Sequence, residues 1–306
     1  MIRRIRVSYG SAVALGLIRG ELTTRPTTIY LLLRHSRCSG RCAFCPQSIG
    51  SESRISRVDW PEFDLRDLKD RLGGRFERIC VQCTDEEEVR RDLPAVVGEV
   101  SEGGIPLSVS TAPVTKDLMV EIKGAGAEVL TVPLDCARED IFASVKGRDW
   151  HAHWRALRDA VGVFGRGRVG THIIVGLGET ERDVVVVLDN LAHIGVIPSL
   201  FAFTPVAGTP MGNRPRPALG SYRRLQVARY CIVELGRGAD VFGFGAGGRI
   251  AKFPADLSPD TSVFMTKGCR GCNRPYFNER VSGPIFNYPY TPTEEEIGAM
   301  EGQGWQ

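Results

Sequence analysis

The sequence predicts an α/β fold: a (β/α) barrel of TIM type with six to eight units and an irregular cap at its carboxyl end. Three observations carry this. Short β-rich runs alternate with helix-length amphipathic runs, the strands read as near-continuous apolar segments, and no composition break marks a linker. Apolar strands divided by helices mean a parallel sheet covered on both faces. Closure into a barrel is the economical arrangement, with an open doubly wound sheet as the alternative.

The elements follow in order. Thr27 to Leu33 reads as the first strand, then a cysteine loop and a helix near Pro61 to Leu72. Phe76 to Gln82 is the second strand and Glu86 to Ser101 its helix. Pro106 to Ser110 precedes a helix at Thr115 to Lys123. Val129 to Leu134 precedes helices at Arg138 to Val145 and His151 to Phe164. Val169 to Val175 leads to Thr180 to Leu191, and Val196 to Phe203 leads, through a Pro/Gly-rich loop, to Ser221 to Glu234. Val241 to Phe244 and Ser262 to Met265 read as two shorter closing strands. Residues 1–268 are thus expected to form the barrel domain with an amino-terminal helix, and 269–306 a tail rich in Gly, Pro, Asn and aromatics.

With 306 residues, 42% hydrophobic and 25% charged, the chain can bury a full core without disulfide staples. Its net charge of +3, from 39 basic and 36 acidic residues, argues against nucleic acid or an anionic membrane as partner. The apolar stretch from Ala12 to Ile18 is short and followed by Arg19 and Glu21, so it reads as an amphipathic helix rather than a secretory signal. No run approaches the roughly 18 apolar residues of a membrane span. The expected location is the cytoplasm.

Nine cysteines are many for a cytoplasmic chain. They cluster at 38, 42 and 45, at 80 and 83, and at 269 and 272, with Cys136 and Cys231 alone. In a reducing compartment such clusters read as metal ligation. CSGRCAFC places Cys38, Cys42 and Cys45 in one loop after the first strand, where thiolates on successive turns reach different irons of a cubane. Three ligands leave one iron open for an exogenous chelator. Gly40 permits a tight turn, and Phe44 can shield the cluster. A zinc knuckle is the competing reading.

HIIVGLGET (His172 to Thr180) runs from an apolar strand through Gly176 and Gly178 into a helix, a turn that lets backbone approach a ligand closely. Asp135, in VPLDC after the fourth strand, suits a ribose hydroxyl or a helix N-cap. FGFGAGG is a weak dinucleotide-loop signal. Cys80 and Cys83, in ICVQC, point to opposite faces of a strand and share a ligand only if the strand has ended by Cys83. With Cys269 and Cys272 in GCRGC they would supply four thiolates for an auxiliary cluster. Cys231 reads as core, Cys136 ranks below the pairs, and His151 and His153 read as surface or helix-start residues. Asn273, Arg274 and Arg280 are candidates for contact with that cluster or a protein substrate. Phe201, Phe203, Val206 and Ala207 are apolar loop residues that could line a channel, with ordinary packing beside a barrel strand as the alternative.

CxxxCxxC with an aromatic before the third cysteine resembles the radical S-adenosylmethionine (SAM) superfamily. The resemblance implies that SAM chelates the open iron of a [4Fe-4S] cluster and that its cleavage yields a 5′-deoxyadenosyl radical. HIIVGLGET resembles the superfamily's GxIxGxxE element, which implies that Ile174, Gly176, Gly178 and Glu179 cradle the adenine. VPLDC looks like the NLD segment of biotin synthase, whose Asp contacts the ribose. RPTTIYLLL, ICVQC, THIIVGLGETE and FAFTPVAGTP resemble biotin-synthase-like proteins over nearly the whole chain. Two departures stand out: Val241 to Phe244 lacks the cluster-ligating arginine of biotin synthase, and the tail TKGCRGCNRPYFNERVSGPIFNYP is added. The tail is similar to the second component of two-protein lipoyl synthases. That implies a second, auxiliary [4Fe-4S] cluster donating sulfur, at C8, to an octanoyl chain on a lysine of a lipoyl domain or glycine-cleavage H protein, and would make the channel of Phe201, Phe203, Val206 and Ala207 acyl-binding. A partner radical enzyme would add sulfur at C6, and a low-potential donor would supply electrons. Rival readings are another biotin-synthase-like sulfurtransferase or rearrangement enzyme with a small-molecule substrate, and an iron–sulfur carrier with a closed four-ligand first cluster.

Overall fold

A computed structural model of the chain describes residues 4–73, 76–293 and 295–296. The last residues of the expected tail, 297–306, lie outside them. The first element, β1 (Arg4–Val7), alternates charged and apolar side chains and buries Ile5 and Val7. Ser8 caps α1 (Tyr9–Ala14) by accepting from Ser11 N at 3.4 Å. All six residues of β2 (Thr28–Leu33) are buried, as a strand covered on both faces requires.

The helix expected near Pro61 to Leu72 is largely replaced. A hairpin of β3 (Arg54–Ile55) and β4 (Val58–Asp59) leads to β5 (Glu62–Asp64), which pairs with β1, and only α2 (Leu65–Lys69) is helical. Asp64 starts that helix by accepting from Arg66 N at 2.9 Å.

The alternation then holds: β6 (Arg78–Cys83), α3 (Glu87–Ser101), β7 (Leu107–Ser110), α4 (Lys116–Gly124), β8 (Ala127–Thr131), α5 (Glu139–Lys146), α6 (Trp150–Phe164), β9 (Val169–Val175), α7 (Glu181–Ile194), β10 (Val196–Ala202) and α8 (Leu219–Arg229). Helix α7 opens with a reciprocal capping box between Thr180 and Asp183. The sheet order is β10-β9-β8-β7-β6-β2-β1-β5, with the six strands from β2 to β10 parallel and β1 antiparallel. This is the barrel-type βα succession with six units, its hydrogen-bonded ladder open between β10 and β5.

The two expected closing strands do not join this sheet. Gly243–Phe244 (β11) pairs instead with Ile250–Lys252 (β12), because Gly247 (φ 68) and Gly248 (φ 76) fold the chain back on itself. Thr261–Phe264 is a short 3-10 turn capped by Asp260. The tail instead bridges toward the open side. Asn287 Nδ2 donates to Leu200 O (3.3 Å), Asn278 O accepts from Thr204 Oγ1 (2.9 Å), and Asn273 Oδ1 accepts from Thr27 N (3.0 Å).

Period 2 divides each strand. In β9, Val169, Thr171, Ile173 and Val175 are buried toward the helices, while Gly170, His172 and Ile174 face inward. The outward faces of β2, β6 and β7 pack on Val89, Leu93, Val96 and Val97 of α3 and their neighbours, in the main core. Each such side chain contributes roughly 1.5–3 kcal/mol by leaving water. That leaves the inner face free for chemistry.

Candidate active site

The cysteine loop leaves the carboxyl end of β2, where parallel strands expose their chemistry. Ser39 N donates to Asp85 O (2.9 Å), Ala43 N to Val145 O (2.8 Å) and Cys45 N to Cys42 O (3.0 Å). Met211 N donates to Ala43 O (3.1 Å), so the loop after β6, the last turn of α5 and the loop after β10 hold the cysteine loop. Two buried carboxylates brace its first half. Glu86 Oε2 accepts from the Ser36 hydroxyl at 2.8 Å, and Asp85 is paired with Arg90 and Arg148 and accepts from Ser39 Oγ at 3.0 Å. Burial pulls both carboxyls upward, but these donors and cations hold them below their usual range.

Cys38, Cys42 and Cys45 line one cavity of about 240 Å³. Cys38 Sγ accepts from Gly40 N and Asp85 N, each at 3.4 Å. A Cβ at Gly40 would sit 3.3 Å from Cys38 Sγ and 4.0 Å from Cys42 Sγ, so glycine keeps the space between the thiols clear. Burial raises Cys42, and it pushes Cys45 up to about 12, so both stay protonated until a metal displaces the proton. Among the described residues no three candidate ligand side chains already surround one ion position. The donor chemistry nonetheless fits an iron–sulfur cluster: three soft thiols in one wall, with backbone N–H groups aimed at sulfur.

Of the residues expected to hold SAM, Asp135 and Ile174 line this cavity. Asp135 adopts φ 67, with its N donating to His172 O (2.7 Å) and its O accepting from Ile174 N (2.8 Å). It is not a helix N-cap, since Arg138 occupies that position of α5. Its Oδ2 instead lies 2.6 Å from Lys146 Nζ, both side chains buried, and Lys146 also donates to Pro133 O at 2.7 Å. Burial disfavours the ammonium, but Asp135 reverses that and leaves the Lys146 pKa raised.

Gly176, Gly178 and Glu179 do not reach the cavity wall; they build the turn behind it. Glu179 accepts from Gly176 N (2.6 Å) and Leu177 N (3.0 Å). Gly176, at φ 106, has no room for a Cβ, which would fall 3.0 Å from Pro217 Cδ.

A second cavity, of about 550 Å³, lies at the amino-terminal ends of the strands. Cys80, Cys269 and Cys272 line it. Cys272 N donates to Cys269 O (3.0 Å), and the Tyr30 hydroxyl lies 3.3 Å from Cys272 Sγ while accepting from Arg274 N (2.8 Å). Gly271 O accepts from Thr27 Oγ1 (2.6 Å) and Thr28 Oγ1 (3.1 Å), seating the tail turn on β2. Burial raises the Cys80 thiol, and neighbouring Cys269 and Cys272 raise it further.

Cys83 does not belong to this group. The strand has not ended there: Cys83 is still paired with Leu33, which puts it on the face opposite Cys80, against the main core and at the wall of the upper cavity that Cys38, Cys42 and Cys45 line. The four-thiolate set thus becomes three, Cys80, Cys269 and Cys272, lining the cavity at the amino-terminal ends of the strands. Cys136 and Cys231 are fully buried.

Gln82, Ser110, His172, Phe201 and Arg274 line both cavities and form the layer between them. The Arg274 guanidinium stacks 4.1 Å over Phe201 and 4.7 Å over Phe277. Asn273 ties backbone, donating to Arg25 O at 2.9 Å, and Arg280 is exposed. Phe201, Phe203 and Val206 line the upper cavity, whereas Ala207 is exposed and does not. His153 is buried in its wall rather than at the surface, and burial lowers its pKa to about 4; His151 is exposed. Lys146, Arg148 and His172 also line it without having been singled out, because each sits in an ordinary helix-end or strand pattern whose inward direction only the fold reveals.

The Radical SAM superfamily model matches residues 33–191, just over half of the chain. The chain is 27% identical over 275 residues to biotin synthase of Caulobacter sp. (strain K31), covering 78% of this chain and 79% of the relative. It is 26% identical over 210 residues to biotin synthase 2 of Paracoccus denitrificans (strain Pd 1222), covering 65% and 64%. Among solved structures, methylornithine synthase (PylB) superposes with a TM-score of 0.55 at 15% identity over 74% of this chain and 68% of that one. The hydrogenase maturase HydG of Carboxydothermus hydrogenoformans gives 0.55 at 16% identity over 68% and 51%. These structures share the fold. Among the described residues no helix is long and apolar enough to cross a membrane. With its three-thiol loop at the carboxyl end of the first barrel strand and the matching family model over that region, this chain belongs to the radical SAM superfamily.

Proposed function

We propose that the chain is a cytoplasmic radical SAM sulfurtransferase of lipoyl cofactor biosynthesis. On this reading it inserts sulfur at C8 of an octanoyl chain linked to a lysine of a lipoyl domain or glycine-cleavage H protein. A second radical SAM enzyme completes the product, and a low-potential donor supplies electrons. The observation that carries the reading is the position of Cys269 and Cys272: the tail folds into the barrel and sets them beside Cys80, beneath the layer of His172, Phe201 and Arg274. Similarity to biotin synthases supports sulfur insertion, and the tail pair supports the lipoyl branch.

When bound, a [4Fe-4S] cluster and SAM would supply a 5′-deoxyadenosyl radical, and an auxiliary cluster the sulfur. Cys38, Cys42 and Cys45 would hold the first centre, and Cys80, Cys269 and Cys272 the second. Asp135 orients polar groups of the cofactor while neutralising Lys146. Phe201, Phe203 and Val206 give the acyl chain an apolar wall and exclude water.

The test is anaerobic: reconstituted protein, SAM, a strong reductant and an octanoyl-lysyl peptide, with products read by mass spectrometry. The expected result is 5′-deoxyadenosine with a peptide gaining one sulfur atom. Deoxyadenosine without sulfur addition refutes the lipoyl assignment and keeps the radical enzyme.

A further inference from the structure

The lower cavity opens at the end of the barrel opposite the SAM site. Its walls carry Arg78, Arg166, Arg168, Lys267 and Arg270 against a single carboxylate, Glu128. Some of this charge is already used: Arg78 binds Glu128 (3.4 Å), Ser108 Oγ (2.9 Å) and Arg270 O (2.8 Å), and Arg166 caps carbonyls of α7. The exposed side chains of Arg168 and Arg270 make no ion pair or hydrogen bond among the described residues. One buried hydroxyl without a partner lies nearby. Thr266 Oγ1 is buried with no hydrogen-bond partner, and the buried Ser199 and Thr131 face the same space. At about 550 Å³ the cavity falls within the size range of small-molecule sites.

The inner wall adds a second requirement. Three thiols, and not four, face the cavity, since Cys83 points away. A cubane held by three thiolates keeps one iron open. Arg168, Arg270, Ser199, Thr131 and the three cysteines line the same space.

We propose that the amino-terminal cavity is a second ligand site. It admits a small anionic sulfur ligand, a carboxylate-bearing thiol or hydrosulfide, which reaches the open side of the Cys80, Cys269 and Cys272 set without crossing the SAM site. Arg168 and Arg270 draw in and hold the anion, and the sulfur takes the position that the chain's own ligands leave vacant. The thiol loses its proton on ligation, and no electron transfer is involved. This rests on the auxiliary centre assigned above.

The test uses reconstituted holoprotein saturated with SAM. Binding of mercaptosuccinate, of succinate and of sodium hydrosulfide is followed by calorimetry and by the electron paramagnetic resonance spectrum of the reduced protein. Either sulfur ligand should alter one of the two cluster signals, and should still do so in a Cys38→Ala/Cys42→Ala/Cys45→Ala variant; succinate should leave the spectra unchanged. Arg168→Glu with Arg270→Glu should weaken that binding about tenfold or more at low salt. A response to mercaptosuccinate identifies the carboxylate-bearing thiol as a competent source, and a response to hydrosulfide alone identifies hydrosulfide. Unchanged affinity in the arginine variant, or a response lost with the Cys38 set, overturns the site. If the triple variant holds no iron, the auxiliary centre itself fails; if it holds iron and no sulfur ligand alters its signal, only the present inference fails.

Discussion

Replacing Asp135 by asparagine tests the electrostatics of the upper cavity. Asparagine is nearly isosteric and tolerates the left-handed backbone found at φ 67, so the change removes charge with little added strain. Lys146 would then keep its ammonium with side-chain exposure of 6%, deprived of the carboxylate 2.6 Å away and left with Pro133 O. Breaking a buried pair from one side costs about 3–5 kcal/mol. At this chain length that is a fall in Tm of roughly 6–10 °C, at about 2 °C per kcal/mol. Adding Lys146→Met removes the stranded charge, so the double variant should recover most of the loss. Differential scanning calorimetry of the parent, Asp135→Asn, Lys146→Met and the double variant gives the coupling directly. SAM affinity, by equilibrium dialysis, separates two roles: it stays low in the double variant if the carboxylate itself binds the cofactor, and returns with stability if it only neutralises Lys146. A single variant within about 2 °C of the parent, corresponding to about 1 kcal/mol, would refute the buried-pair reasoning.

Alanine at Cys80 or at Cys272 should remove the iron of one cluster, whereas Cys83→Ala should keep it and cost only about 1 kcal/mol of packing; iron analysis of the three variants decides, and loss of iron in Cys83→Ala would restore it as a ligand. Burial lowers His153 to about 4 from an ordinary value of 6.5, so the unfolded chain binds a proton that the folded chain does not across that window. Stability should therefore decline as pH falls from 6.5 toward 4. His153→Gln should make the decline shallower without abolishing it, because His172 is lowered to about 4 by the same cause; an unchanged slope in Tm against pH would contradict this.

Much of this was legible along the chain because it is local. The strand–helix alternation, the span Val169–Val175, the thiol loop and the glycine turn behind it all follow from spacing that the structure reproduces. Local pattern failed where a long-range partner outweighed it. Pro61 to Leu72 looks helical until β1 offers Glu62–Asp64 a partner strand, and Val241 to Phe244 looks like a barrel strand until the following glycines turn it into a hairpin.

What the sequence by itself determined is the family: three thiols at the superfamily's spacing, on a strand end, within a parallel α/β succession. Which way a side chain faces, and what meets it from far along the chain, was decided only in three dimensions. The spacing of Cys80 and Cys83 left open only whether the strand had ended between them; continuation of the β6 ladder to Cys83 answers that and sends them to opposite faces. Cys272 is 242 residues from Tyr30, yet the two lie 3.3 Å apart because the open edge of the sheet leaves room for the tail. Asp135 and Lys146 form a buried pair because a left-handed backbone turn aims one at the end of the helix carrying the other. Direction and long-range closure are properties of the packed chain, and no residue-to-residue spacing encodes them.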